Sequence, residues 1–186
     1  MYICRTESIL MTRSEKAYNL FKEGYNCCQA VVLSFSDFIE ASGGPDEEQL
    51  KALCSGFGGG MGRLREVCGT VSGMTILAGF ICPAAPQDKA AKAANYALVQ
   101  SFAARFRSRT GSIICRELLG LSAPPHTGEQ AGGEAGACSG SAVRPPVESP
   151  VPSERTAEYY RKRPCAELCA LAASIVEEYL VENDRL

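Results

Sequence analysis

Apolar residues recur at three- and four-residue intervals along most of this chain, and that spacing predicts helices. Thr12-Arg13-Ser14-Glu15 has the form of a capping box, in which a hydroxyl takes orphan amides and a glutamate three residues on reaches back. Ala17, Leu20 and Phe21 follow on one face until Gly24 interrupts them. Asn26 predicts a second helix start, with Ala30, Val31, Phe35, Phe38 and Ile39 as its buried face to about Ser42. After the turn Gly43-Gly44-Pro45, a helical pattern resumes from Asp46 to Cys54. Between Val67 and Ile81 polar positions almost vanish, which predicts a central helix covered by others. Gly69, Gly73 and Gly79 would weaken that helix, so their expected use is close approach of a neighbouring backbone. Asp88 to Arg109 predicts a long amphipathic helix with Ala94, Ala97, Leu98, Phe102 and Phe106 inward. Ile113 to Leu119 predicts a short piece stopped by Gly120, and Glu154 to Asn183 a helix broken at Pro164. No stretch alternates like a strand and no repeat appears. The predicted fold is all-α, a compact bundle of four to six helices around a central apolar one.

Residues 121 to about 153 are crowded with Pro, Gly, Ser and Ala and predict a flexible loop. Residues 1–11 read as a disordered leader, which leaves 12–186 as one helical domain. The 186 residues are 46% hydrophobic, enough for a real core. A formal charge of -2 gives no basic footprint, so neither nucleic acid nor a membrane surface is expected as partner. MYICRTESILMTR lacks the charged start and sustained apolar run of a secretory signal, and GMTILAGFIC is too short to span a bilayer. The expected location is the cytoplasm.

Ten cysteines are many for such a compartment, where thiols serve metal binding or redox chemistry more than crosslinking. No CxxC occurs, which argues against thioredoxin-like motifs, zinc ribbons and haem attachment. Cys27, Cys68, Cys115 and Cys165 share a setting: each is expected near a helix start. There the unpaired amides carry roughly half a positive charge and favour a thiolate, so Cys68 in REVCGTVSG is expected to be held at or near its anionic form. Cys27 and its neighbour Cys28 diverge by about 100 degrees on a helix, so only Cys27 is expected to face a shared site. Cys169, one turn beyond Cys165, reads more readily as packing. His126 stands in the flexible loop, which leaves no imidazole to activate a thiol.

GYNCCQAV, FGGGMG, CGTVSG with a following LAGF, CRELLG and RPCAELCALAA, in that order over about residues 14 to 182, resemble the C_GCAxxG_C_C family of redox-active proteins. The resemblance implies a small helical protein whose four family cysteines correspond to Cys27, Cys68, Cys115 and Cys165. The family's CGAxxG stands here as CGTVSG, and the hydroxyl that Thr70 adds is expected to bond back to a helix carbonyl. Cys28, Cys54, Cys82, Cys138 and Cys169 lie outside the four.

Two mechanisms follow. Four convergent thiolates would bind an iron-sulfur cluster, or zinc in its place, for electron transfer or redox sensing. Alternatively a pair of them forms a reversible disulfide without metal. A structural zinc site in a helical interaction module is a third reading. Gly58, Gly59, Gly60, Gly69 and Gly73 are expected to bring backbone close to the site. No preceding strand and no GK[ST] accompany the glycine loop, so no nucleotide is expected, and no haem. A redox partner protein is expected, as an oxidoreductase or electron-transfer protein would need, and an alanine- and glycine-rich helical surface is a candidate for homo-oligomerisation.

Overall fold

The computed structural model describes residues 11–121 and 149–185. Residues 1–10 of the expected leader and 122–148 of the expected loop, with Cys4, His126 and Cys138, lie outside the described residues. The elements are α1 (Arg13–Lys22), α2 (Cys27–Leu33), α3 (Ser36–Ala41), α4 (Glu47–Leu53), a 3-10 turn (Ser55–Phe57), α5 (Gly69–Ile81), α6 (Lys89–Thr110), α7 (Cys115–Leu118), α8 (Ala157–Lys162) and α9 (Cys165–Glu182). The fold is all-α, and among the described residues the one β-type contact is an isolated antiparallel bridge between Val67 and Ile114.

Helix starts follow their caps. Thr12, Asn26 and Asp46 each close a capping box, and Asp88 and Thr156 accept amides of α6 and α8. The helix expected from Asn26 to Ser42 is instead two, α2 and α3. Ser34 turns its hydroxyl onto the Val31 carbonyl at 2.7 Å, and Arg13 donates to the Ser34 carbonyl at 2.8 Å. Those bonds satisfy groups that a continuous helix would have used, and the chain bends at Phe35.

Helix α9 packs against α1, α2, α5 and α6, and α5 against α2, α6 and α9. Phe21, Phe35, Phe102 and Phe106 fill the space between them and are almost wholly buried. The stripe Leu98, Phe102, Phe106 buries one face of α6, whereas Ala94 and Ala97, expected inward, are exposed. Asn95 of α6 caps α5 by donating to the Ala78 and Cys82 carbonyls at 3.2 and 2.9 Å. Gly79, expected at a close approach, faces open space. Gly73 does meet a neighbour: a Cβ on it would lie 2.9 Å from Cβ of Val31 on α2. Among the described residues no helix is long and apolar enough to cross a membrane.

Candidate functional site

Four helix starts and one loop surround a single cavity of about 60 Å³, room for a few waters or one small molecule. Cys27, Cys68, Cys115 and Cys165 all line it. Cys27 is the first residue of α2, after Asn26, whose side chain caps that helix and also donates to the Cys54 and Ser55 carbonyls, both at 3.1 Å. Cys68 caps α5, and Cys115 opens α7. The segments before them are laced together: the Cys68 amide donates to the Ile113 carbonyl at 2.9 Å, and the Cys115 amide to the Glu66 carbonyl at 2.7 Å. Cys165 opens α9, with Pro164 as cap rather than first helical residue. Cys27 is partly exposed and the other three are nearly buried.

Cys165, Cys27 and Cys169 are neighbours that bear on one another's protonation. Cys165 donates toward Cys27, and Cys27 toward Cys169, whose own thiol lies 3.8 Å from the Cys27 carbonyl oxygen. The bond from Cys165 favours a Cys27 anion, but contact with Cys169 and loss of solvent outweigh it and leave Cys27 a thiol well above the ordinary range. Donation to Cys27 and then burial push Cys165 up, and burial first of all raises Cys115, which Arg65 partly relieves. Cys68 rises to about 11 through burial. The expectation of a resting thiolate at Cys68 is therefore overturned. Dehydration of the sulfur costs the anion more than the helix end returns.

Thr70 is wholly buried, and its hydroxyl lies 3.1 Å from the Cys68 sulfur instead of on the expected helix carbonyl. That contact favours the Cys68 anion. Thr70→Val keeps the shape and removes the contact, so the Cys68 alkylation profile is expected to move to higher pH. An unmoved profile would show that the hydroxyl has no hold on the sulfur.

The glycine loop forms one wall. Gly59 lines the cavity, a Cβ on Gly58 would crowd Asn26, and Gly69 lies where a Cβ would stand 2.8 Å from the Phe57 carbonyl and 3.1 Å from Cβ of Cys27. Met61, Arg63 and Arg65 all take left-handed backbone in this short loop, at φ of 63, 68 and 62. Such conformations cost non-glycine residues about 1 kcal/mol or more each and collect at functional sites. Gly60 combines both demands, with φ of 73 and a Cβ position 2.6 Å from Cβ of Cys115. Gly60→Ala is expected to destabilise the fold by about 2–3 kcal/mol, read from chemical denaturation; a loss under about 0.5 kcal/mol, the scatter of ordinary surface changes, would contradict the packing.

Arg155, Tyr159 and Arg163 also line the cavity; Arg163 opens the motif RPCAELCALAA, whereas Arg155 and Tyr159 stood in no motif. Arg155 donates to the Phe21 and Tyr25 carbonyls and stacks 4.4 Å over Phe21, fastening the segment before α8 to the end of α1. Arg163 lies 4.9 Å from the Tyr159 ring, and its charge favours anions at Cys165 and Cys115. Cys169 is both buried packing and a partner of Cys27; its four-residue spacing from Cys165 was the available signal. Cys28, as expected, faces away from the cavity. It meets Cys54 instead.

Among the described residues no three His, Cys, Asp or Glu side chains are gathered closely enough to hold a metal ion. The four sulfurs thus share a cavity without forming a closed ligand set. A family model described as "Putative redox-active protein (C_GCAxxG_C_C)" matches residues 25–179. No curated protein and no solved structure matches the chain.

Proposed function

The chain belongs to the C_GCAxxG_C_C family, and from that premise we propose that it is a thiol-disulfide redox protein whose working couple is Cys27–Cys165. One observation carries the reading: these two cysteines line the wall of one cavity, each at the first residue of its helix, where α2 packs against α9. Closing the couple transfers two electrons and two protons. The disulfide of a partner is cleaved to two thiols as the Cys27–Cys165 bond forms, and the reverse reaction reduces a partner. Arg163 and Arg65 favour the Cys165 anion, the species that must form transiently for exchange. Contact with Cys169 favours the protonated form of Cys27, and Cys68 and Cys115 complete the lining.

A second reading keeps the cavity but fills it. Cys27, Cys68, Cys115 and Cys165, each at a helix start, would be the ligands of an iron-sulfur cluster or of zinc, which would supply one-electron transfer or structural crosslinking respectively. What favours it is the common placement of all four, for which exchange alone needs only two. What opposes it is the open arrangement of the sulfurs.

Equilibration of the purified chain in thiol-disulfide buffers, followed by counting free thiols, separates the readings. The exchange reading predicts a metal-free protein with a reversible two-electron transition that requires Cys27 and Cys165. Brown anaerobic protein with iron and sulfide, and no such transition, would replace it with the cluster; a colourless protein that unfolds on chelation would point to zinc.

A further inference from the structure

The cavity uses only one side of the Cys27-Cys28 pair. On the other side, the Asn26 side chain accepts from the Cys28 amide at 2.9 Å and donates to the Cys54 carbonyl at 3.1 Å, which brings these two cysteines together, both with no exposed surface. We propose that Cys28 and Cys54 form a second redox dithiol, which closes to a disulfide joining the first turn of α2 to the end of α4 when a small peroxide reaches it.

The surroundings are built to hold the two sulfurs together. Asn26 spans from the α2 amides to the Cys54 and Ser55 carbonyls, and Gln29 donates to the Lys51 carbonyl at 2.8 Å, so both ends of the pair are fixed by side chains that also cap α2. A disulfide needs the sulfurs about 2 Å apart, and this bracing holds the two cysteines at one place between α2 and α4. Cys54 caps the end of α4 between exposed Leu53 and exposed Ser55. With no exposed surface on either residue, the pair is reached only through local opening, and a small uncharged oxidant needs the smallest one. Within the pair the bond from Cys28 lowers Cys54, making Cys54 the sulfur that loses its proton first.

The step balances without another reagent. The Cys54 thiolate takes one oxygen from hydrogen peroxide and releases hydroxide; the Cys28 thiol then displaces the oxygen of the sulfenic acid as water, and a proton neutralises the hydroxide. Two thiols and one peroxide become one disulfide and two waters. The sulfurs are oxidised by two electrons and the peroxide is reduced by two.

The test treats the fully reduced chain with hydrogen peroxide, quenches in acid, alkylates under denaturing conditions and maps crosslinked peptides. It is run on the wild type and on Cys27→Ser, which removes the neighbouring thiol from the same peptide; Cys27→Ala serves if the serine variant does not fold. A Cys28–Cys54 crosslink is expected in both, reversed by dithiothreitol and lost in Cys54→Ser. The proposal is overturned if Cys28 and Cys54 remain fully alkylated after peroxide, or if Cys28 is crosslinked to another cysteine. The cavity couple fails separately, by absence of a Cys27–Cys165 crosslink, so neither result decides the other.

Discussion

Cys27→Ser is expected to abolish the two-electron transition of the cavity couple completely, and Cys165→Ser to do the same. A hydroxyl in place of either sulfur removes the Cys27–Cys165 bond; in Cys165→Ser the thiol left beside Cys27 is Cys169, and a Cys27–Cys169 crosslink is told apart by its peptides. Cys68→Ser and Cys115→Ser are expected to keep the transition, because those sulfurs line the cavity without contacting each other or the couple by hydrogen bonds. The contrast is the informative part. Four ligands of one cluster would be lost together, whereas a dithiol makes two of the four indispensable and two of them dispensable. A serine hydroxyl buried at position 165 costs about 1–3 kcal/mol unless it finds a partner, so helical content must be checked alongside. Loss of the transition in Cys68→Ser with the helices intact would assign the couple wrongly.

Alkylation of Cys68 is expected to be slower than that of an ordinary exposed cysteine by more than about two orders of magnitude near pH 8. The cause is the rise of its pKa to about 11 by burial, which leaves little thiolate to react. Stability has the same sign. A thiol whose pKa is higher in the folded state contributes stability below the unfolded value, and that contribution is lost as pH climbs toward the folded one. For Cys68 the window runs from about 8.5 in the unfolded chain to about 11 in the folded one. Cys115 and Cys169 shift the same way, also led by burial. The protein is expected to lose stability steeply across that window, and Cys68→Ala to flatten the decline by about 3 kcal/mol. Thermal unfolding as a function of pH checks it. A profile unchanged by the substitution would mean that the sulfur is not desolvated.

The caps and apolar stripes that predicted the helices are local signals, and local hydrogen bonds decide most of them: Thr12, Asn26 and Asp46 cap the helices whose starts they announced. Where the reading went astray, a distant residue intervened. Arg13, on another helix, takes the Ser34 carbonyl and helps to divide one expected helix into two. Ala94 and Ala97 carry the right period but stay exposed, because Asn95 and Leu98 make the contacts of that stretch of α6. The cavity cysteines were legible because a helix start is written in a few adjacent residues. Their protonation was not, since it depends on how much water the surrounding helices remove. Nor was the row Cys165, Cys27, Cys169, whose members come together only through the packing of α2 against α9.

The central claim is that the Cys27 and Cys165 sulfurs are redox partners. The most direct measurement is to equilibrate the chain in a graded series of reduced and oxidised dithiothreitol, trap it in acid, alkylate, and quantify the crosslinked peptides at each ratio. A Cys27–Cys165 crosslink that rises and falls with the ratio as a single two-electron step is the predicted result. A cavity in which the dominant crosslink joins Cys68 to Cys115, or in which all four thiols stay alkylated at every ratio, would contradict the claim.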